Sequence, residues 1–319
     1  MSFDILDKNM YIKTSDNKII KTIVSKINTP KFNSHKGQNG RVLVIGGSSL
    51  FHSASLWAAE VASHFVDIVH YSSTKENEEV FLSLKKKFRN GIIVPQKHLT
   101  DYVREDDAVL VGPGMVRARS LTFNVKPRTR TSSVQGRRST FSDILKITNE
   151  AEYTYFLTKY LIENFPNKKF VFDAGALQMM DKDWLRNLKT PAIITPHQGE
   201  FEDLFKMPIK DKKLEEKVKI VQETAEKYKT VILLKAVVDI ISDGRKNYVV
   251  EGGNAGLTKG GTGDVLAGLA LSFYAKNEPL LSAVLASSVL KKAADGLFLK
   301  KGYWYNIFDL IEKIPEVLI

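Results

Sequence analysis

The 319-residue chain contains no cysteine, which excludes disulfide scaffolds, thiolate zinc sites and cysteine nucleophiles. Long hydrophobic runs are also lacking. The longest apolar region, 265–290, is interrupted by Lys276, Glu278 and Pro279, so it predicts two buried helices and no membrane span. The first residues carry Asp4 and no apolar run, which does not match a secretory signal. These absences favour a soluble, cytoplasmic protein.

Positive charge is concentrated in one stretch of the chain. The formal net charge is +11, and residues 116–142 contain seven Arg or Lys and no acid. Ser, Thr, Arg and Pro dominate this stretch, so it predicts a long mobile loop, here called the basic insertion. Its composition favours a solvated insertion, and a clamp on a phosphate group is the next interpretation. Nucleic-acid binding is the least favoured, since only Phe123 and Phe141 offer stacking.

Short apolar runs alternate with helical patterns along the rest of the chain. A run without charge suits a strand buried on both faces, and strands alternating with helices predict a doubly wound, mostly parallel α/β sheet flanked by helices. We expect a single domain at 34–319, after an N-terminal leader at 1–33 that holds one helix. The predicted strands are 41–45, 68–71, 91–94, 108–111, 170–172, 192–195, 231–234 and a hairpin within 240–250.

A glycine-rich stretch, 252–264, precedes an apolar helical pattern. Glycines allow several backbone N–H groups to converge, and the dipole of the following helix adds positive potential, so the stretch predicts an anion site. Asp264 at the helix start can accept a proton from a hydroxyl group that is being phosphorylated. The simpler interpretation is a tight turn capped by Asp264. Four glycines between Gly256 and Gly263, with Thr262, favour the anion site, although neither a Walker nor a dinucleotide fingerprint is present.

Five motifs, in order along the chain, resemble those of a known family. Residues 260–264 (GGTGD) resemble the anion hole and catalytic Asp of the ribokinase-like superfamily. Within it, the chain is more closely similar to the ADP/ATP-dependent NAD(P)H-hydrate dehydratases, over nearly its whole length from about Pro30. The N-terminal epimerase domain of many relatives is missing here. The motifs are 34–48 (SHKGQNGRVLVIGGS), 111–114 (VGPG), 172–177 (FDAGAL), 194–200 (ITPHQGE) and 254–264 (NAGLTKGGTGD).

The resemblance implies a reaction and a set of roles. ADP, or ATP, would phosphorylate the 6-hydroxyl of hydrated NADH or NADPH, and loss of the phosphate would restore the dinucleotide. Asp264 would be the base, and Glu200 would help to place Mg²⁺ through water. Asp173 and Asn254 belong to the motifs without a more specific role. The substrate pocket would be lined by Ala54, Gly114, His197 and Asp264, and the anion hole would be Gly260, Gly261, Thr262 and Gly263.

Several of these residues have simpler interpretations. Gly114 fits an ordinary turn, and Ala54 fits helix packing. His197 and Glu200, three residues apart after a strand, fit a helix start in which the dipole favours the carboxylate.

The stretch that would bind the adenosine nucleotide departs from the family. Relatives usually carry Lys-Gly-x-x-Thr, whereas this chain has Lys235, Ala236, Val237, Val238 and Asp239. The methyl group of Ala236 and the carboxylate of Asp239 would lie near bound phosphate. We therefore expect altered nucleotide affinity or preference.

Two other functions remain open. A ribokinase-type kinase acting on a vitamin-precursor alcohol is disfavoured by the motifs at 34–48 and 194–200. A catalytically lapsed nucleotide- or nucleic-acid-binding protein is disfavoured by the intact Asp264. The resemblance also implies a homo-oligomer, a tetramer by analogy, that works with a separate NAD(P)H-hydrate epimerase.

Overall fold

A ten-stranded sheet forms the centre of the computed structural model, which describes residues 9–84, 90–117 and 140–319. The strands are β1 Asn9–Lys13, β2 Arg41–Ile45, β3 Ile68–Ser72, β4 Gly91–Ile93, β5 Ala108–Val111, β6 Lys169–Phe172, β7 Ile193–Ile194, β8 Val231–Leu234, β9 Val238–Ser242 and β10 Asn247–Glu251. The helices are α1 Asn17–Val24, α2 Ser53–Ala62, α3 Lys75–Leu84, α4 Leu99–Glu105, α5 Phe141–Ile144, α6 Glu150–Asn164, α7 Ala174–Met179, α8 Gln198–Phe205, α9 Leu214–Tyr228, α10 Thr262–Lys276, α11 Pro279–Lys301 and α12 Ile307–Lys313.

The sheet order is β1-β10-β9-β8-β7-β6-β5-β2-β3-β4. β9 pairs antiparallel with β8 and β10, and the other described pairs are parallel. The prediction of a mostly parallel α/β sheet in one domain is confirmed. The carboxyl ends of β2, β5, β6, β7 and β8 therefore lie along one edge of the sheet. Along the chain, β2, β3 and β4 follow one another toward one edge of the sheet, and β5 then pairs with the other side of β2. Such a reversal of strand order leaves a crevice in which ligands bind.

Strand residues alternate between two helical layers because successive side chains point to opposite faces of a sheet. In β2, Val42 and Val44 pack with α2, α10 and α11, whereas Leu43 and Ile45 pack on the opposite side with α4 and α6. All four side chains are buried, with at most 3% exposed. Both faces of the sheet are thus covered, as the apolar strand runs predicted.

Helices α2 and α10 cross at very close range. A Cβ atom added to Gly268 of α10 would lie 2.6 Å from the backbone oxygen of Ala58 in α2, closer than a carbon atom can approach. Only glycine permits this crossing without a shift. The two helices also carry residues of the site described below.

The N-terminal segment contributes to the same sheet. β1 pairs in parallel with β10 at the edge, and α1 follows with Asp16 as its N-cap, whose side chain accepts from the N–H groups of Lys18 and Ile19. The helix was expected, whereas the strand was not. Of the basic insertion, residues 118–139 lie outside the described residues, so its predicted mobility stays a prediction. No described helix has the length and apolar character needed to cross a membrane.

Candidate active site

Polar side chains from three neighbouring strands meet at the carboxyl edge of the sheet. Asp173 follows β6, His197 follows β7 and Lys235 follows β8. The Nζ atom of Lys235 lies 2.7 Å from Oδ1 of Asp173 and 3.9 Å from Oε2 of Glu200. Burial by itself would lower the pKa of Lys235, but the carboxylates of Asp173 and Glu200 outweigh it and raise that pKa. The ammonium group therefore stays charged and holds the two acids together.

Asp173 is a fixed part of this cluster. Its residue exposure is 1%, and its Oδ1 atom also accepts a hydrogen bond of 2.8 Å from the Thr195 hydroxyl. The next residue, Ala174, has a φ of 42°, in the region that side chains with a Cβ rarely adopt. Strain of this kind concentrates at functional sites. Asp173 is also the N-cap residue of α7, so this strained position lies directly next to the cluster.

His197 and Glu200 form a capping box at the start of α8. The His197 N–H donates to Glu200 Oε2 at 2.9 Å, and the Glu200 N–H donates to His197 Nδ1 at 3.1 Å. Gln178 donates to the other carboxylate oxygen at 2.8 Å. The simpler interpretation, a helix start, thus describes the local structure correctly. Glu200 is buried, and the His197 side chain remains 56% exposed at the edge.

The predicted anion hole lies at the start of α10. Gly261 is the N-cap residue with a φ of 101°, and an added Cβ would lie 2.5 Å from the ring of Trp57. Both the backbone conformation and the lack of space require glycine there. The first N–H groups of a helix have no acceptor within it, and here the first turn begins at Thr262. The buried Thr262 hydroxyl also has no hydrogen-bonding partner among the described residues.

Asp264 lies in this first turn with a strongly perturbed carboxyl group. Burial is the main cause, the nearby carboxylate of Asp173 adds to it, and Lys235 opposes both; together they raise the pKa of Asp264 to about 7. A carboxylate with this pKa is a much stronger base than an ordinary Asp. It is therefore suited to accepting a proton near neutral pH.

A cavity of about 1220 Å³ opens at the reversal of strand order between β2 and β5. Ala54, Gly114 and Asp264 are in its lining, so the structure brings these three predicted residues together. Gly114 is in close contact with Ala54, since a Cβ built on Gly114 would lie 3.1 Å from that of Ala54. His197 is not part of this lining.

Other residues of the cavity lining were not anticipated from the sequence. Among them, Glu150 accepts hydrogen bonds from the Ser49 N–H at 2.7 Å and from the Ser49 hydroxyl at 2.9 Å. Phe51 and Gln178 line the same cavity. The sequence offered one signal for these two residues, namely that each lies just after a strand-end motif. Phe51 follows the glycines of 46–47, and Gln178 follows the motif at 172–177.

Asp239 points away from the site that was predicted for it. Its Oδ1 atom accepts from the Ala236 N–H at 2.9 Å, and its Oδ2 atom accepts from the Ser287 hydroxyl at 2.7 Å. The residue is 4% exposed, so its carboxylate faces the protein interior. The expected position of this carboxylate near a bound phosphate is therefore not supported by the geometry.

Asn254 holds the glycine-rich stretch in place through hydrogen bonds. Its side-chain oxygen accepts from the N–H of Gly256 and from the hydroxyl of Tyr305, both at 2.9 Å. Its amide nitrogen donates to the backbone oxygen of Ala294 in α11 at 2.9 Å. Asn254 thus ties the segment that precedes the anion hole to α11.

The acids at this edge suit contact with a metal ion through water better than direct ligation. Both carboxylate oxygens of Glu200 already accept hydrogen bonds, from Gln178 and from the His197 N–H. Among residues 9–84, 90–117 and 140–319, no group of three or more His, Asp or Glu residues is arranged to hold a metal. Mg²⁺ usually keeps several waters and takes its other ligands from phosphate groups.

On this sheet, a glycine turn at a helix start lies next to a buried acid with a raised pKa, an arrangement that suits a protein of phosphoryl transfer. A ribokinase-like superfamily protein from Enterococcus faecalis has the same fold, with a TM-score of 0.73 and 21% identity over 100% of this chain and 97% of that chain. An ADP/ATP-dependent NAD(P)H-hydrate dehydratase from Bacillus subtilis, co-crystallised with ATP and Mg²⁺, gives a TM-score of 0.68 and 21% identity, covering 93% of this chain and 95% of that chain.

The chain belongs to the NAD(P)H-hydrate dehydratase family, whose model matches residues 147–316. An ADP-dependent (S)-NAD(P)H-hydrate dehydratase from Nitrosopumilus maritimus is 31% identical over 292 residues, which are 90% of this chain and 91% of that protein. A bifunctional NAD(P)H-hydrate repair enzyme from Methanocaldococcus jannaschii is 35% identical over 295 residues. That match covers 90% of this chain but 49% of the relative, so the chain spans about half the length of the bifunctional protein.

Proposed function

We propose that the protein is an ADP-dependent NAD(P)H-hydrate dehydratase that repairs hydrated nicotinamide dinucleotides. One observation carries the proposal: Asp264, whose pKa is raised to about 7, stands both in the first turn of α10 and in the wall of the large cavity. A phosphoryl donor at the helix start and an acceptor in the cavity would therefore meet at this carboxylate. Family membership supplies the identity of the acceptor.

The reaction follows from this arrangement. Asp264 takes the proton from the 6-hydroxyl of the hydrate while that oxygen attacks the terminal phosphorus of ADP, releasing AMP. The phosphorylated oxygen then leaves as inorganic phosphate when the lone pair of the ring nitrogen breaks the C6–O bond. Loss of a proton from C5 restores the dihydronicotinamide. The backbone N–H groups at Gly260, Gly261 and Gly263 would stabilise the charge on the phosphoryl group in transit. The Thr262 N–H donates to the Lys259 carbonyl oxygen at 3.3 Å, so Thr262 would contribute through its hydroxyl.

We propose Mg²⁺ as the companion of the nucleotide, where it would neutralise charge on the phosphates. Glu200 would contact it through water, as its occupied oxygens suggest. Lys235 would hold Asp173 and Glu200 in place and face the phosphates next to Gly263, where an added Cβ would lie 3.4 Å from Nζ. ADP is the proposed donor because the Nitrosopumilus relative, matched over nine tenths of its length, is named as ADP-dependent.

We propose further that the enzyme works in the cytoplasm, as a homo-oligomer, alongside an NAD(P)H-hydrate epimerase activity. The bifunctional relatives, about twice as long, support this pairing of activities. The ribokinase-type kinase and the catalytically lapsed binding protein remain the competing functions that the assay has to separate.

The test is a direct assay of purified protein with NADH hydrate, Mg²⁺ and either ADP or ATP. Absorbance near 340 nm reports the restored NADH, and phosphate and AMP or ADP are measured in parallel. We expect Asp264→Asn to lower the rate by about 10²–10⁴-fold, the usual cost of losing a positioned base. The matched control, Asp203→Asn, changes an exposed acid on α8 and should leave the rate unchanged. A stable phosphorylated alcohol without NADH would indicate a kinase, and no turnover of either kind would favour the lapsed protein.

A further inference from the structure

Asp239 and Lys291 form another buried ion pair, which contacts the loop between β8 and β9 and has no part in the proposed chemistry. Asp239 is the second residue of β9, close to the loop that joins β8 to β9, and Lys291 lies on α11. Lys291 Nζ is 3.4 Å from Asp239 Oδ1, and each side chain is 5% exposed. Charges so deeply buried need several favourable contacts to offset their lost hydration.

Those contacts go to the backbone of the loop. Lys291 Nζ donates to the carbonyl oxygens of Val237 at 2.7 Å and of Ala236 at 3.3 Å. Asp239 accepts from the N–H of Ala236 at 2.9 Å and from the hydroxyl of Ser287 at 2.7 Å. The pair thus holds three backbone groups belonging to two consecutive residues, Ala236 and Val237.

Stability alone does not account for such a pair. Replacing a buried ion pair with apolar residues of similar size is often neutral or stabilising, because removing two charges from water costs as much as their attraction returns. What an apolar pair could not do is fix the direction of the loop carbonyls. Loops at protein surfaces usually satisfy their backbone groups with water and keep considerable freedom.

The orientation that the pair imposes is one that suits an anion. In a trans peptide the C=O and N–H bonds point in opposite directions. Because the Ala236 carbonyl points at Lys291, the N–H of Val237 points away from it, and the Val237 residue is 90% exposed. The loop begins at Lys235, whose ammonium lies beside Gly263 of the anion hole. An outward N–H on this loop would be available to a nucleotide phosphate bound near Gly263.

We propose that Asp239 and Lys291 form a positioning pair that sets the backbone of residues 235–238 for the nucleoside diphosphate donor. The pair then determines donor affinity and not the turnover of bound substrates. This inference rests on the proposed function for the identity of the donor. It also accounts for Asp239 in place of the usual Thr: a hydroxyl could accept from Ala236, but it would leave Lys291 buried without a counter-charge.

Three variants test the pair: Asp239→Thr, Lys291→Met and the two changes combined. Each single change leaves one buried charge unpaired, so we expect lower thermal stability and a rise of at least tenfold in the Kd of Mg-ADP. The double variant removes both charges and keeps an oxygen for the Ala236 N–H. It should therefore recover most of the thermal stability. The loop carbonyls still lack their hydrogen bonds from Lys291, so the Kd of Mg-ADP should stay at least fivefold above that of the wild type.

Titration calorimetry with Mg-ADP and steady-state kinetics provide the readouts. In the double variant we expect a raised KM for ADP, with kcat and the KM for NADH hydrate within about twofold of the wild type. The control is Lys292→Met, on the same helix, which removes a lysine that donates to the Thr14 carbonyl and to Asn17 instead of to the loop. It should leave ADP binding unchanged.

The inference is overturned if the stably folded double variant binds Mg-ADP as the wild type does, or if the KM values for both substrates rise together. It is also overturned if the wild type does not bind Mg-ADP. The calorimetry does not depend on turnover. An inactive wild type whose Mg-ADP binding follows the expected pattern would therefore refute the proposed function and leave the pair supported.

Discussion

The pH dependence of catalysis tests how Asp264 acts. If its pKa is about 7, about a tenth of the enzyme carries the ionised base at pH 6 and about nine tenths at pH 8. kcat/KM for NADH hydrate should therefore fall about tenfold per unit below pH 7 and level off above it. An Asp at the ordinary value of 3.8 would give a flat profile over this range.

Two substitutions should move this acid limb in opposite directions. Asp173→Asn removes the like charge that raises the pKa of Asp264, so the limb should shift to lower pH. The Asn oxygen can still accept from Thr195, which preserves the local contact. Lys235→Met removes the cation that stabilises the ionised base, so the limb should shift to higher pH. The direction of each shift is informative even where the maximal rate falls.

The assay follows NADH absorbance at saturating Mg-ADP, with enzyme-free blanks at each pH because the hydrate itself reacts in acid. kcat/KM is the appropriate quantity, since it reports the ionisation of the enzyme before the hydrate binds, here with Mg-ADP in place. A wild-type profile that stays flat from pH 5.5 to 8 would refute the raised pKa. An upward shift of the limb in Asp173→Asn would refute the assignment of its charge as a cause.

Three further outcomes follow from the same site. Asp264→Asn should raise the free energy of unfolding by up to about 4 kcal/mol above pH 7 and should not change it below about pH 4. The reason is that the raised pKa makes ionisation of this Asp oppose folding as the pH rises between those limits. Urea unfolding at both pH values checks the sign. Gly261→Ala should lower both activity and melting temperature, since the new methyl group meets the ring of Trp57 at a positive φ; a repacked partner, Trp57→Phe, should recover part of the loss. Glu150→Ala should raise the KM for the hydrate about fivefold by releasing Ser49 from about 1 kcal/mol of hydrogen bonding, and an equal rise in the KM for ADP would contradict this role.

The sequence predicted the strands of the parallel sheet well because their physical signature is local. A strand buried on both faces is apolar throughout, and those at 108–111 and 231–234 were predicted with the observed bounds. The polar or glycine residue after each strand then predicted the edge at which the structure gathers Asp173, Glu200 and Lys235. β1 escaped notice because it is an edge strand, in which only Met10 and Ile12 are apolar among polar neighbours.

Side-chain direction was the part that could not be predicted. Asp239 lies within the nucleotide-side stretch, so a contact with phosphate was the natural expectation. Its actual partners, Ser287 and Lys291, lie about fifty residues further along the chain and become neighbours only when α11 packs on the sheet. A pattern read along the chain indicates which residues reach the edge, whereas tertiary packing decides which way each one points.

The close crossing at Gly268 sets the distance between helices α2 and α10. In the proposed reaction, Ala54 on α2 would line the cavity for the acceptor and Asp264 on α10 would be the base, so the spacing of the two helices would set the distance between acceptor and base. A displacement of about 1 Å can cost on the order of a hundredfold in rate. Gly268, which is outside the cavity lining, would thus set the spacing of acceptor and base in the proposed reaction. Redesign for other acceptors should begin with that spacing before the pocket is altered.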